Sequence, residues 1–203
     1  MNKIIRGIKE FDLMVLATFV TMLAYSATYP YIHKQVMMVV SEKYVALATI
    51  INCLGVIITD RIWQHFGKRL YKSYIVFCIM ECVTTIATTL YCLIVRDLAS
   101  YYIIDTIVFA IMSRNVICGS RRLTAIRYKE KEARIAYENN DSTAASIATL
   151  IGSGLSIIIG LPFEIMIIIA TIGNCVDNAF YIKIFTETPN IPDDVDIEEG
   201  DDE

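Results

Sequence analysis

The sequence lacks the side-chain groups on which most metal and nucleophilic sites depend. Its two histidines, His33 and His65, lie far apart, and neither has a cysteine or paired carboxylates at ligand spacing. No two of the six cysteines form a CxxC pair, and all six fall inside apolar runs, where small packing residues are the ordinary interpretation. We therefore expect no metal site and no cofactor.

Motifs of membrane enzymes are also missing. The sequence contains no HExxH, no paired glutamates followed by arginine and no DG…AR…G…D series. A cysteine–histidine peptidase would need a close pair, and His65 has no cysteine on a nearby turn. We predict that the protein is not an enzyme, and we expect no nucleic-acid partner.

Long apolar runs dominate the chain, which is 55% hydrophobic over 203 residues. Each run is close to the ~20 residues that cross ~30 Å of hydrocarbon, and a backbone in lipid must satisfy its own hydrogen bonds. The sequence therefore predicts an all-α integral membrane protein with six transmembrane helices. A soluble helical bundle is the less favoured alternative. The predicted spans are Phe11–Ile32, Tyr44–Thr59, Tyr71–Val95, Tyr101–Cys118, Ser142–Gly160 and Phe163–Ile182.

The basic residues predict the orientation of these spans. If the N-terminus lies inside, all but Lys34, Lys43 and Arg96 of the 18 lysines and arginines fall on the inner side. We expect a multi-pass protein of the cell membrane with cytoplasmic N- and C-termini. No cleaved signal peptide is expected, because the first apolar run is of full span length.

The chain divides into a membrane domain and a tail. We assign 1–183 to the six-helix domain and 184–203 to an acidic cytoplasmic tail that should be disordered. Within the domain, the segment 120–140 alternates apolar and charged residues, which predicts a helix lying on the inner membrane face. The polar residues 139–142 should then cap the fifth span.

Polar stripes run along every predicted span except the fifth, because residues three and four apart share a helix face. A charged side chain at mid-bilayer costs about 2.5–3.5 kcal/mol, so the ionisable members should bind a ligand or pair with one another. For Glu81 and Asp105 the functional interpretation is a proton or a cationic group. Arg114 would bind an anion or pair with a carboxylate. The candidates for substrate or proton binding are Tyr25, Tyr29, Asn52, Glu81, Asp105, Arg114, Asn174 and Asp177.

The fifth span carries small residues instead. Ala148, Gly152, Ser156 and Gly160 recur every four residues, a pattern that permits close approach of a neighbouring helix. This stripe predicts a packing surface, either within the bundle or between subunits.

A charged segment separates the second and third spans. It contains Gly55, an Asp60–Arg61 pair, and Gly67 followed by Lys68 and Arg69. Together with a Tyr-Pro end to the first span and Arg114 and Gly119 at the end of the fourth, it resembles the signature loop of the major facilitator superfamily. The resemblance covers the membrane region as one six-helix half. About three additional residues near Trp63 lengthen the segment by about one helical turn.

The resemblance implies a transporter whose signature segment steadies one gating state; simple anchoring by the basic residues is the alternative. Because six spans return the chain to its starting side, two copies can meet about a twofold axis and rebuild two parallel halves. We expect a half-size transporter that homodimerises in the lipid bilayer around a central cavity. It would move a small-molecule substrate by rocker-switch alternating access, with proton coupling as an option. The alternatives are a substrate-binding membrane subunit of a larger importer and one half of a heteromeric transporter.

Overall fold

The computed structural model describes residues 12–158 and 160–188, with the side chains of 157 and 158 left aside. Within these ranges the chain is helical and contains no strand. Residues 1–11, which carry the N-terminus predicted to be cytoplasmic, and residues 189–203 of the acidic tail lie outside the described residues. The helices are α1 Leu13–Val39, α2 Glu42–Tyr71, α3 Tyr74–Val95, α4 Leu98–Arg127, α5 Lys131–Ile158 and α6 Phe163–Glu187.

Among the described residues, five helices are long and apolar enough to cross a membrane: α1, α2, α3, α4 and α6. Large apolar side chains point outward from the bundle, as lipid contact requires; Leu54, Ile94 and Leu150 are each more than half exposed. α5, whose side chains at 157 and 158 are left aside, is not counted among these five. The chain is thus compatible with a multi-pass membrane protein.

Short, capped connections join several of the helices. Asp12 begins α1 by accepting the backbone N–H of Met14 at 3.0 Å. α3 ends at Val95, and the φ of 58° at the following Arg96 lies in the left-handed region that usually favours glycine. Asp97 then caps α4, and the hydrogen bonds that it accepts from Ser100 hold the pKa of its carboxyl below the usual value.

The charged segment between the second and third spans is helical, so the prediction of a loop there was wrong. α2 runs unbroken to Tyr71, and only Lys72 and Ser73 connect it to α3. The helix continues because Trp63, Gly67 and Tyr71 recur every four residues and are all buried on one face. Burial of this face outweighs the polarity of the residues between them.

The segment 120–140 forms no separate helix on the membrane face, contrary to the prediction. α4 continues through Arg127 because Leu123 and Ile126 are buried in the bundle, and α5 begins at Lys131. The polar residues 139–142 therefore lie inside α5 and cap nothing. The Tyr128 and Tyr137 rings stack with centroids 4.7 Å apart across the turn. α6 also continues to Glu187, past the predicted domain boundary at residue 183.

The first three helices, α1–α3, and the last three, α4–α6, make equivalent sets of contacts. α1 packs against α5 and α6, α4 packs against α2 and α3, and α3 packs against α6. Exchanging α1 with α4, α2 with α5 and α3 with α6 leaves this set of contacts unchanged. Corresponding helices of the two sets run in opposite directions. Met14 at the start of α1 and Ile126 at the end of α4 belong to one apolar cluster. Neither α1 with α2 nor α4 with α5 is closely packed within the described ranges.

The small-residue stripe of α5 packs mainly within the chain. Ala148 and Gly152 are buried, and a Cβ at Gly152 would lie 2.8 Å from the Leu23 carbonyl oxygen on α1. Ser156 is half-buried on the same helix. Gly160 does not continue the stripe: it lies beyond the end of α5 and is exposed, and a Cβ added there would meet no atom within 4 Å.

Candidate functional site

A cavity of ≈ 520 Å³ lies inside the bundle, between α1, α2, α3, α4 and α6. An apolar cluster around Tyr74 and Leu123 fills one end of the bundle, and a second around Val36 and Met166 lies toward the other. Most of the predicted binding residues line this one space, although they come from five helices. They are Tyr25, Tyr29, Asn52, Glu81, Asp105, Asn174 and Asp177.

Aromatic side chains of α1 form one wall. Tyr25, Tyr29 and His33 are four residues apart, so they lie above one another on a single face. The Tyr25 and Tyr29 rings stack at 4.4 Å between centroids, and the Tyr29 and His33 rings at 5.5 Å. Tyr25 and Tyr29 are 48% and 42% exposed. Thr49 of α2 is exposed on the opposite side, so the cavity opens between α1 and α2, which are not closely packed.

Asp105 of α4 is the carboxylate with the fewest protein partners in this cavity. No described residue donates a hydrogen bond to its side chain or forms an ion pair with it. Tyr101 and Tyr102 lie one turn before it on the same helix and also line the cavity. An acceptor with unsatisfied lone pairs therefore points into a polar space.

A π-helical turn over Phe109–Ser113 interrupts α4 one turn after Asp105. The Phe109 N–H donates to the carbonyls of both Asp105 and Thr106, where the hydrogen-bond pattern changes. A Cβ at Gly55 would lie 2.6 Å from the Cβ of Ala110, so α2 closely approaches α4 at this turn. Turns of this kind are frequent at functional sites.

Glu81 of α3 is held by amides of α6. Its side chain is only 3% exposed and accepts hydrogen bonds from Asn174 at 3.2 Å and from Asn178 at 3.0 Å. Asn178 belongs to the polar stripe of α6, but sequence reasoning did not select it as a site residue. Asp177 lies on the same helix, close enough to Glu81 to interact electrostatically. Glu81 thus joins α3 to α6 while it borders the cavity.

Arg114 does not line the cavity, unlike the other predicted binding residues. It forms a two-point ion pair with Asp60 of α2, with Nε–Oδ1 at 2.8 Å and Nη2–Oδ2 at 2.6 Å. The Cys118 thiol donates to the same carboxylate at 3.3 Å. A predicted gating residue and a predicted ligand of substrate therefore bind each other and join α2 to α4.

The other residues of the predicted signature segment line the same helix. Arg61 donates to Gln64 at 3.2 Å, while Lys68 and Arg69 are exposed near the end of α2. Gly67 leaves room for the Arg122 guanidinium, which a Cβ would overlap.

Trp63 is a structural residue that sequence reasoning passed over. It is only 6% exposed, and its Nε1–H donates to Asn115 Oδ1 of α4 at 2.8 Å. Its ring lies 6.1 Å from that of Phe77 on α3. The spacing of four residues to Gly67 and eight to Tyr71 was the available signal. The additional turn of α2 is thus part of the core.

Comparison with family models, with curated proteins and with solved structures finds no match to the chain. Among the described residues, no three histidine, cysteine, aspartate or glutamate side chains are grouped so that they could hold a metal ion. The cavity and the Asp60–Arg114 pair are therefore the two features that bear on function.

Proposed function

We propose that the protein is a half-size membrane transporter, which homodimerises and moves a small solute by alternating access. The polar cavity that opens between α1 and α2 is the observation that carries this proposal. Lipid cannot satisfy the hydroxyl, amide and carboxylate groups at such an opening. A second copy placed over the opening would enclose them, and the shared space would become the solute path.

The exchange symmetry of the helix contacts supports a likeness to half of a major facilitator. Each six-helix half of such transporters contains two inverted repeats of three helices. The equivalent sets α1–α3 and α4–α6 have that relation. In this proposal α5 also crosses the membrane, which brings the number of spans to six. Both termini lie in the cytoplasm, as the distribution of basic residues favours.

The Asp60–Arg114 pair supplies a candidate gate. It links α2 to α4 near the end of the bundle that the proposal places at the cytoplasmic side. Charges paired between two helices resist relative tilting, because separation leaves two partly buried ions without partners. Breaking and re-forming this pair would accompany the exchange between the two access states.

A substrate-binding membrane subunit is the second candidate. It is favoured by the fact that five helices of a single chain line the cavity, so one chain contains most of a ligand site. Such a subunit would bind one ligand per monomer, whereas the dimeric transporter would share one ligand between two chains.

Cysteine crosslinking in membranes tests the proposal. In a background with the native cysteines replaced by alanine, Thr49→Cys at the opening should crosslink to its twin. Ile94→Cys, which replaces a side chain that is 78% exposed on α3, is the matched lipid-facing control and should not. Monomers in native mass measurements, with one ligand per chain and no crosslink at Thr49→Cys, would reject the homodimer and favour the binding subunit.

A further inference from the structure

We propose that the cavity binds a monovalent organic cation with an apolar or aromatic body, and that Asp105 is its counter-ion. The inference rests on the proposed function only in taking the cavity as the solute site. Binding can be measured without transport, so the two ideas can fail separately.

The charge of the cavity selects for cations. Three carboxylates line it, those of Glu81, Asp105 and Asp177, and the described lining contains neither lysine nor arginine. The nearby guanidinium of Arg114 is already engaged by Asp60 at 2.6 Å. An anion would therefore meet these carboxylates with no lysine or arginine to compensate, and with His33 as the one imidazole in the described lining, which disfavours its binding.

Asp105 differs from Glu81 in what the protein already provides. The Glu81 carboxylate is satisfied by two amide donors from α6. Asp105 receives no hydrogen bond from the described residues, so its lone pairs are free to accept from a ligand. A partly buried acceptor without a partner is costly, and a cationic ligand would remove that cost.

The aromatic wall favours a cation with an organic body. Tyr25 and Tyr29 present a stacked pair to the cavity, and Tyr101 and Tyr102 flank Asp105. Asp105 lies close enough to interact electrostatically with Tyr25 of α1 as well as with Tyr101 and Tyr102. Aromatic faces attract cations, and ≈ 520 Å³ is a volume typical of small-molecule sites.

Two ions of equal shape and opposite charge test the inference directly. Binding of tetraphenylphosphonium and of tetraphenylborate to the purified full chain would be measured by titration calorimetry in a non-ionic detergent. We expect the cation to bind at least about 10-fold more tightly than the anion, a difference of about 1.4 kcal/mol. Equal affinity, or tighter binding of the anion, overturns the proposal.

Variants locate the site. Asp105→Asn keeps the shape and should weaken cation binding about 10-fold or more, since a charge-assisted contact is lost. Glu138→Gln, at an exposed position on α5 outside the cavity, is the matched charge-removing control and should leave the affinity unchanged. If Asp105→Asn does not elute as a folded protein, Tyr25 decides the question. Tyr25→Phe should retain affinity, and Tyr25→Ala should lose about 5-fold.

The outcomes separate the two proposals. A dimer that shows no preference for the cation contradicts the inference and leaves the transporter standing. A monomer that binds one cation through Asp105 contradicts the dimeric transporter and leaves the inference standing. Unchanged cation affinity in both Asp105→Asn and Tyr25→Ala would show that the probe binds elsewhere, and the assignment of the site would be rejected.

Discussion

Replacing Gly152 by alanine should loosen the contact between α5 and α1. The added Cβ would lie 2.8 Å from the Leu23 carbonyl oxygen, 2.9 Å from the Ser26 Cβ and 3.0 Å from the Ala27 nitrogen. Two of these three atoms belong to the backbone of α1, so a rotamer change cannot relieve the overlap. The two helices would have to move apart.

The magnitude follows from two opposing terms. Overpacking costs about 1–3 kcal/mol, and alanine in place of glycine in a helix gains about 1 kcal/mol. Gly154→Ala is the matched control, because a Cβ there meets no atom within 4 Å and only the helix gain applies. The two variants should therefore differ by about 1–3 kcal/mol in free energy of unfolding, with Gly152→Ala the less stable.

Thermal and denaturant unfolding in detergent micelles, followed by circular dichroism, would measure this difference. Because the crowding lies within one chain, the difference should not change with protein concentration. Equal stability of the two variants would refute the packing argument. A stability difference that appears only at high protein concentration would show that the small-residue stripe packs between subunits and not within one chain.

Three further predictions concern the rest of the bundle. Asp60→Asn and Arg114→Gln should show a coupling of about 1–3 kcal/mol in a double-mutant cycle of unfolding, toward the low end because the Asp60 side chain is 35% exposed; additive effects would contradict the ion pair. Trp63→Phe should lose about 1 kcal/mol of stability, because its hydrogen bond to Asn115 is lost. In the unsubstituted chain, fluorescence of this single tryptophan should resist quenching by acrylamide; ready quenching would place Trp63 outside the core. Glu81→Gln should lose about 1–3 kcal/mol in the same unfolding assay, because the NH₂ group of the new side chain would face one of the amide donors that now bind the Glu81 carboxylate. A more stable variant would show that the two hydrogen bonds accepted by Glu81 do not stabilise the fold.

The apolar runs predicted the number of helices in the described ranges but not their ends. The second run stops at Thr59, yet α2 continues for twelve residues to Tyr71. Hydropathy measures where lipid ends, whereas a helix ends where hydrogen bonding or packing fails. Trp63 and Tyr71 keep α2 packed against α3 and α4 beyond the apolar run, and only their spacing, not their hydropathy, indicated it.

The candidate site was partly accessible from the sequence. Polar residues at helical spacing must find partners inside a membrane protein, which is why Asp105 and Asn52 could be selected before the fold was known. Their convergence on one cavity, and the pairing of Arg114 with Asp60 across 54 positions, depend on helix arrangement. The π-helical turn after Asp105 left no recognisable mark on the sequence.

The unbroken length of α2 makes it a lever. Thirty residues at 1.5 Å each give a rod of about 45 Å, some 15 Å longer than the hydrocarbon layer. A rod without a joint transmits rotation in full: tilting it by about 10° around its midpoint would displace each end by about 4 Å. The close approach of Gly55 to Ala110 supplies a fulcrum near that midpoint. If the start of α2 moved at the mouth of the cavity, the end of α2 that carries Lys68 and Arg69 would move in the opposite direction.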